Sequence, residues 1–257
     1  MKLFDTHAHL SDKRFDDDLD DVIKKLKESQ VFRVVDVCCH VKDVKRTLDL
    51  TKKHDFIYGA LGMHPHEASD VTEKTLYDME GLLKKNDKLI ALGEIGLDYH
   101  YDFSPRDVQK KWFIEQLELA ISLNLPVILH IREAFSDCME ILRAHKKGLF
   151  GVMHCYSGSY ETARDCIDMG LYIAFGGAVT FKNARRLSDV ASRLPLKRLL
   201  IETDCPYMTP EPHRGKRNDP SYVYYVAKCL AELHNRDVEE VCDITLKNGL
   251  ELFSMGK

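Results

Sequence analysis

Eight short apolar runs alternate with longer amphipathic segments along the whole chain. The runs are KLFDTHAH, FRVVDVCC, IYGALGMHP, LIALGEIGLD, PVILHI, GVMHCYS, LYIAFGG and RLLIETDCP. Between them lie stretches of helical period such as DDDLDDVIKKLKESQ, acidic at its start and lysine-rich later, which suits a helix dipole. A second, PRDVQKKWFIEQLELAISLN, opens with Ser104 as an expected N-cap and Pro105 at the first helical position. Strand–helix alternation repeated eight times demands a parallel sheet. At 257 residues the match is one α/β domain spanning 1–257, a (β/α)8 TIM barrel, with a doubly wound open sheet as the alternative. Two helices are expected after the last strand, near 220–234 and 237–253, so the barrel carries an extra C-terminal helix.

The runs share a second property at their ends. His7 and His9 end the first, His64 the third and His130 the fifth. His154 ends the sixth, and Glu202 with Asp204 the eighth, while Glu94 lies near the end of the fourth. In a barrel these ends meet at the C-terminal face, where active sites form. Any one strand-terminal histidine is more often a hydrogen-bonding residue than a ligand. Here five of the chain's 12 histidines sit at strand ends, together with three carboxylates, and coincidence does not gather them so. In an extended strand residues i and i+2 face one side, so His7 and His9 converge.

A mononuclear site takes three or four protein ligands. The six here, His7, His9, Glu94, His130, His154 and Asp204, suit two ions sharing a carboxylate. The fourth strand lies between the first and the fifth and sixth, which makes Glu94 the natural bridge. One ion takes His7, His9, Glu94 and Asp204; the other takes Glu94, His130 and His154. Two divalent ions roughly 3.5–4 Å apart activate water and stabilise a developing oxyanion, which is hydrolase chemistry. Histidine with carboxylate suits zinc, manganese, nickel or iron, and magnesium suits a carboxylate-rich position.

Other classes are excluded or narrowed. The formal net charge of −4 gives no global basic field for nucleic acid, so phosphate contacts must come from local patches or metals. Apolar runs are far shorter than a membrane span, and no secretory signal pattern opens the chain. The expectation is a cytoplasmic protein with no membrane contact and no obligate protein partner, a monomer. Eight cysteines show no disulfide or zinc-finger spacing and read as reduced thiols; adjacent Cys38 and Cys39 point to opposite faces of their strand.

The ordered set FDTHAHL, GMHPH, GEIGLDY, HIR, HCYSG, ETDCP and RGKRNDP resembles the TatD family of metal-dependent deoxyribonucleases, over Leu3 to about Phe253. The resemblance implies DNA as substrate and phosphodiester cleavage, often exonucleolytic, with the same six metal residues. It implies that Asp204 also accepts the proton of the attacking water. Glu202 is implied as the acidic partner of Asp204, holding a third ion or orienting water; strand geometry puts it on the same face. His64 and Arg132 resemble substrate-phosphate contacts, and Tyr99 is a rim aromatic. Arg214, Lys216 and Arg217 in HRGKRNDP are basic residues placed to meet DNA phosphates. The run KNARR, Lys182 to Arg186, reads as a helix start. Tyr156 and Asp219 depart conservatively from the family pattern.

Competing readings remain. The same barrel could cleave a small-molecule ester, lactone or amide, or an aminoacyl-tRNA ester. Relatives of that kind use a carboxylated lysine as bridge, whereas Lys88 opens the fourth strand at its wrong end and the fifth has no lysine. A non-enzymatic metal-binding adaptor is disfavoured because all six ligands are retained.

Overall fold

A computed structural model describes residues 1–255, so the last two residues of the expected domain lie outside the description. The eight strands are β1 (Leu3–Ala8), β2 (Val31–Cys38), β3 (Ile57–Leu61), β4 (Leu89–Asp98), β5 (Val127–Arg132), β6 (Gly151–Met153), β7 (Leu171–Phe175) and β8 (Leu199–Ile201). They pair in parallel in sequence order. The ends of the sheet are joined beyond β8. The Asp204 amide donates to the His7 carbonyl at 2.9 Å, and the His9 amide to that of Cys205 at 2.8 Å. The buried Asp5 carboxylate adds to the seam by accepting from the amide and hydroxyl of Thr203 at 2.9 and 2.6 Å. The result is a nearly closed TIM barrel.

The helices are α1 (Leu19–Glu28), α2 (Val44–Lys53), α3 (Glu73–Lys85), α4 (Arg106–Leu123), α5 (Phe135–Ala144), α6 (Tyr160–Asp168), α7 (Arg185–Arg193), α8 (Val223–His234) and α9 (Val238–Leu252). α1 begins with Asp20 and Asp21 and ends with Lys25 and Lys27, in the sense that favours the helix dipole. None of the described helices is long and apolar enough to cross a membrane. Ser104 does not cap α4; Pro105 holds that position. The Ser104 hydroxyl instead donates to the His66 carbonyl and accepts the Ser69 amide, both at 3.0 Å, pinning the β3–α3 loop to the start of α4.

Two apolar layers follow from strand alternation. Phe4, Val35, Val37, Ala60, Ala91, Ile128, Val152, Ala174 and Leu200 come from all eight strands and fill the barrel interior. Leu3, Val34, Leu61, Leu92, Leu129, Met153 and Ile173 pack outward against the helices. The extra helix α9 closes the N-terminal mouth. Phe253, just past its end, lies 5.8 Å from the Phe4 ring.

The interior phase of Phe4 would turn His7 and His9 outward, and that of Ala91 would do the same to Glu94. The pairing register shifts between Asp5 and Ala8 in β1 and between Gly93 and Ile95 in β4. Such an irregularity moves the residues after it to the other face. His7, His9, Glu94 and Asp98 thereby point inward at the C-terminal mouth. β4 also runs very close to β5: a Cβ on Gly96, whose φ is +146°, would lie 1.9 Å from the His130 carbonyl oxygen.

Candidate metal centre

The centre is organised around the two oxygens of Glu94, a side chain almost fully buried in the barrel mouth. Oε2 faces His7 Nε2 at 3.4 Å and His9 Nε2 at 3.8 Å. The same two nitrogens lie 3.9 and 3.3 Å from Asp204 Oδ1. Oε1 faces His130 Nδ1 at 2.7 Å, His154 Nε2 at 3.6 Å and His64 Nε2 at 3.7 Å. One carboxylate thus separates two groups of donors, and all six residues named from the strand ends meet here. His154 Nε2 also lies 3.8 Å from Asp204 Oδ1, so its ring stands between the groups.

Tautomers decide which nitrogens can ligate. His9 Nδ1 sits 2.8 Å from the Val37 carbonyl, so it carries the proton and Nε2 presents its lone pair. His130 Nε2 lies 3.1 Å from Asp98 Oδ2, which frees His130 Nδ1, and His154 Nδ1 forms an ion-pair contact with Glu202 Oε1 at 2.9 Å without hydrogen-bond alignment. His64 is reversed: Nδ1 accepts the His66 amide at 3.1 Å, which leaves its proton on Nε2. His9 and His130 are therefore set as ligands and His64 as a donor, while His7 and His154 present Nε2 to the same carboxylates. His7 Nε2 and His9 Nε2 approach to 3.1 Å. Two lone pairs that close repel unless a cation or proton lies between them. The donor set fits divalent ions.

Charge follows the same plan. Burial opposes ionisation of Glu94, yet the imidazoles of His154, His64, His130 and His7 hold its pKa well below the carboxylate range. Burial also works against a charged His154, but Glu202 and Glu94 raise its pKa to about 9. His9 is raised too, burial notwithstanding, by Cys39 and Asp204. Burial lowers His7 and, with His130, lowers His64 strongly. A raised histidine pKa means that metal binding must displace a proton. Ion affinity should accordingly rise with pH through neutrality and flatten above about 9, where His154 has already lost its proton. Isothermal titration in buffers of different ionisation enthalpy would register the released protons. Affinity independent of pH between 6 and 9 would contradict this tautomer scheme.

The structure corrects the geometry expected for Glu202. β8 ends at Ile201, and Asp204 adopts a left-handed φ of +57°, so strand alternation does not carry Glu202 and Asp204 to one face. Glu202 is 1% exposed and turned behind His154, where Oε1 also accepts the Cys155 amide at 2.6 Å. It stands beside His154, and its carboxylate with donor nitrogens of His7 and His154 forms a further group within 4.8 Å of one another, the arrangement a third ion would need. Glu202→Gln should keep the acceptor for Cys155 yet weaken ion binding by roughly 10–100-fold, as loss of a ligand's supporting residue does. Calorimetry beside a melting curve separates this from unfolding.

Two residues escaped sequence reading. Asp98 is fully buried and receives His130 Nε2 on one side and His66 Nε2, at 2.9 Å, on the other. Its position four residues after Glu94 on one strand was the available signal. His66 marks where the rim begins.

Above the donors opens a cleft of about 580 Å³, lined by His9, His64, Glu94, His130, His154 and Asp204 at its floor. Arg132 lines the wall, its guanidinium 4.8 Å from the Tyr101 ring and without an acidic partner among the described residues. Tyr101 stacks on Phe103 at 5.2 Å, and Tyr207 stands across the opening; all three are exposed. The basic segment lies outside this lining. Arg217 pairs with Asp18 at 2.5 Å and donates to the Arg14 carbonyl, Arg214 lies over the Phe181 ring, and Lys216 is exposed. Tyr99 points away, donating its hydroxyl to Asp137 at 2.6 Å. α7 starts at Arg185, so KNARR does run into a helix.

A parallel barrel whose mouth gathers histidines and carboxylates around one shared acid defines a metal-dependent hydrolase. The comparisons specify which kind. The family described as TatD related DNase matches residues 4–254, and the chain belongs to the TatD family. It is 47% identical to YabD of Bacillus subtilis (strain 168), described as an uncharacterized metal-dependent hydrolase, over 98% of each chain. It superposes on the crystal structure of YjjV, a TatD homolog from Escherichia coli K12, with a TM-score of 0.93 and 30% identity, covering 99% of this chain and 98% of that one. A TatD family hydrolase from Entamoeba histolytica shares the fold with a TM-score of 0.88 at 23% identity, over 98% of both chains.

Proposed function

We propose that this protein is a deoxyribonuclease, a monomer acting in the cytoplasm and removing nucleotides from a DNA end by phosphodiester hydrolysis at a two-ion centre. The observation that carries the reading is the Arg132 guanidinium, without an acidic partner among the described residues, on the wall of an open cleft, above a carboxylate–histidine floor and beside exposed aromatic rings. A guanidinium matches a phosphate, and aromatic faces stack on unpaired bases.

His7, His9, Glu94 and Asp204 would hold one ion, and Glu94, His130 and His154 would hold the other. When bound, the ions supply Lewis-acid activation of water and neutralise charge on the phosphoryl oxygens. Glu202 stands beside the His154 ring, and Asp98 holds His130. Arg132 binds a non-bridging phosphate oxygen, and His64 donates its Nε2 proton to another. Asp204, kept ionised by His9, His154 and His7 against its burial, would take the proton of the attacking water at Oδ2, the oxygen not turned to those histidines. The new P–O bond forms as the bond to the leaving oxygen breaks, and that oxygen takes a proton back. Arg214 and Lys216 extend the phosphate track outward.

Arg132→Ala should raise KM more than it lowers kcat and flatten the salt dependence of binding by about 0.7 for a lost single-strand phosphate contact. Arg217→Ala, whose guanidinium is spent on Asp18, should leave that slope unchanged. Fluorescence anisotropy with a labelled oligonucleotide at several salt concentrations reads both. The activity itself is tested by incubating purified, ion-loaded protein with end-labelled DNA and, in parallel, with ester and lactone panels. Ion-dependent shortening of DNA is expected. Robust lactone cleavage with intact DNA would overturn the proposal in favour of small-molecule hydrolysis.

A further inference from the structure

We infer that Cys39 is a ligand of the metal centre and selects thiophilic divalent ions at the position held by His7, His9, Glu94 and Asp204. Cys39 directly follows β2, the neighbour of β1 in the barrel. Cys38 is buried in the outer layer against the helices. Alternation turns Cys39 the opposite way, and it lines the cleft. Its Sγ lies 3.3 Å from Glu94 Oε2, the oxygen that also faces His7 and His9. Sγ lies 3.9 Å from His9 Nδ1, the nitrogen turned to Val37, and Sγ, a His9 nitrogen and a Glu94 oxygen all fall within 4.8 Å of one another.

The spacing suits shared coordination. With zinc bonds of about 2.3 Å to sulfur and 2.0 Å to oxygen, two neighbouring donors at the roughly 90–110° angles of a five- or six-coordinate ion stand about 3.0–3.5 Å apart. The 3.3 Å between Sγ and Oε2 falls in that range. An ion entering here meets a soft donor beside imidazole and carboxylate. The thiol gives its proton to water in the open cleft and binds as thiolate, as a coordinating thiol does. Softness favours zinc, cobalt or cadmium over magnesium and manganese, which prefer oxygen. Position 39 lies outside the motifs that carry the family resemblance. The inference rests on the metal-centre reading but not on the nature of the substrate.

Cobalt(II) provides the probe. Cobalt-loaded wild type should show a sulfur-to-cobalt charge-transfer band in the near ultraviolet. Cys39→Ser and Cys39→Ala should both lose it. Cys155→Ser is the control, because the Cys155 sulfur also lies within 4.8 Å of donors on His154 and Asp204; it should keep the band. In competition for equimolar zinc and manganese under reducing conditions, Cys39→Ser should shift the bound ratio toward manganese by roughly tenfold or more, the scale of perturbing a metal's supporting residue. Serine keeps a hydrogen-bond donor to Glu94, so a thiol that merely oriented that carboxylate would be replaced without a shift. Absence of the band in wild type, its survival in both Cys39 variants, its loss only in Cys155→Ser, or an unchanged zinc-to-manganese ratio would each overturn the assignment. No substrate is present, so such a failure would leave DNA hydrolysis standing.

Discussion

Glu94→Ala should abolish hydrolysis and deplete both ions together. Oε2 faces the His7–His9 donors and Oε1 faces the His130–His154 donors, so one truncation takes a ligand from each position. It also removes the negative charge on which five histidines converge, leaving their mutual repulsion uncompensated. Lewis-acid activation contributes several kcal/mol to such a reaction, and each factor of ten in rate is about 1.4 kcal/mol. A loss of roughly 10³-fold or more in kcat/KM follows. Elemental analysis after gel filtration should find clearly less than the wild-type metal content. A variant that lost one ion and kept the other at full occupancy would show that Glu94 does not bridge.

Asp204→Asn should be nearly as damaging, by a different route. The amide keeps the shape, but it is a far weaker proton acceptor than the carboxylate. Loss of a positioned general base costs typically 10²–10⁴-fold. The assay needs saturating metal, because the amide is also a poorer ligand beside His7 and His9. Under that condition kcat should collapse while oligonucleotide binding survives. Wild-type turnover by the variant would place the base elsewhere. Glu202 could not inherit the role, since it is sealed behind His154 and in contact with the Cys155 amide.

Much of this architecture was legible in the sequence because barrel strands repeat one simple pattern. Apolar runs bounded by polar, helical stretches identified eight strands in order, and the strand–helix order placed their C-terminal ends on one face. The residues at those ends needed only that face to meet. What escaped has local causes. Alternation from Phe4 points His7 outward, and only the register shift in β1 turns it in; β4 does the same for Glu94. Such shifts depend on pairing with a neighbouring strand, and one strand's sequence does not encode them. Glu202 was misplaced because β8 is only three residues long and the chain turns at Asp204. Within the basic run HRGKRNDP charge is visible in the sequence and ion pairing is not: Asp18, nearly 200 residues away, neutralises Arg217. Arg132 carries less charge density in the sequence yet stands at the cleft.

Anomalous diffraction from metal-loaded crystals would locate the ions relative to Glu94. Two peaks should flank its carboxylate, one against His7, His9 and Asp204 and the other against His130 and His154. A single peak, or two peaks of which neither contacts Glu94, would contradict that arrangement.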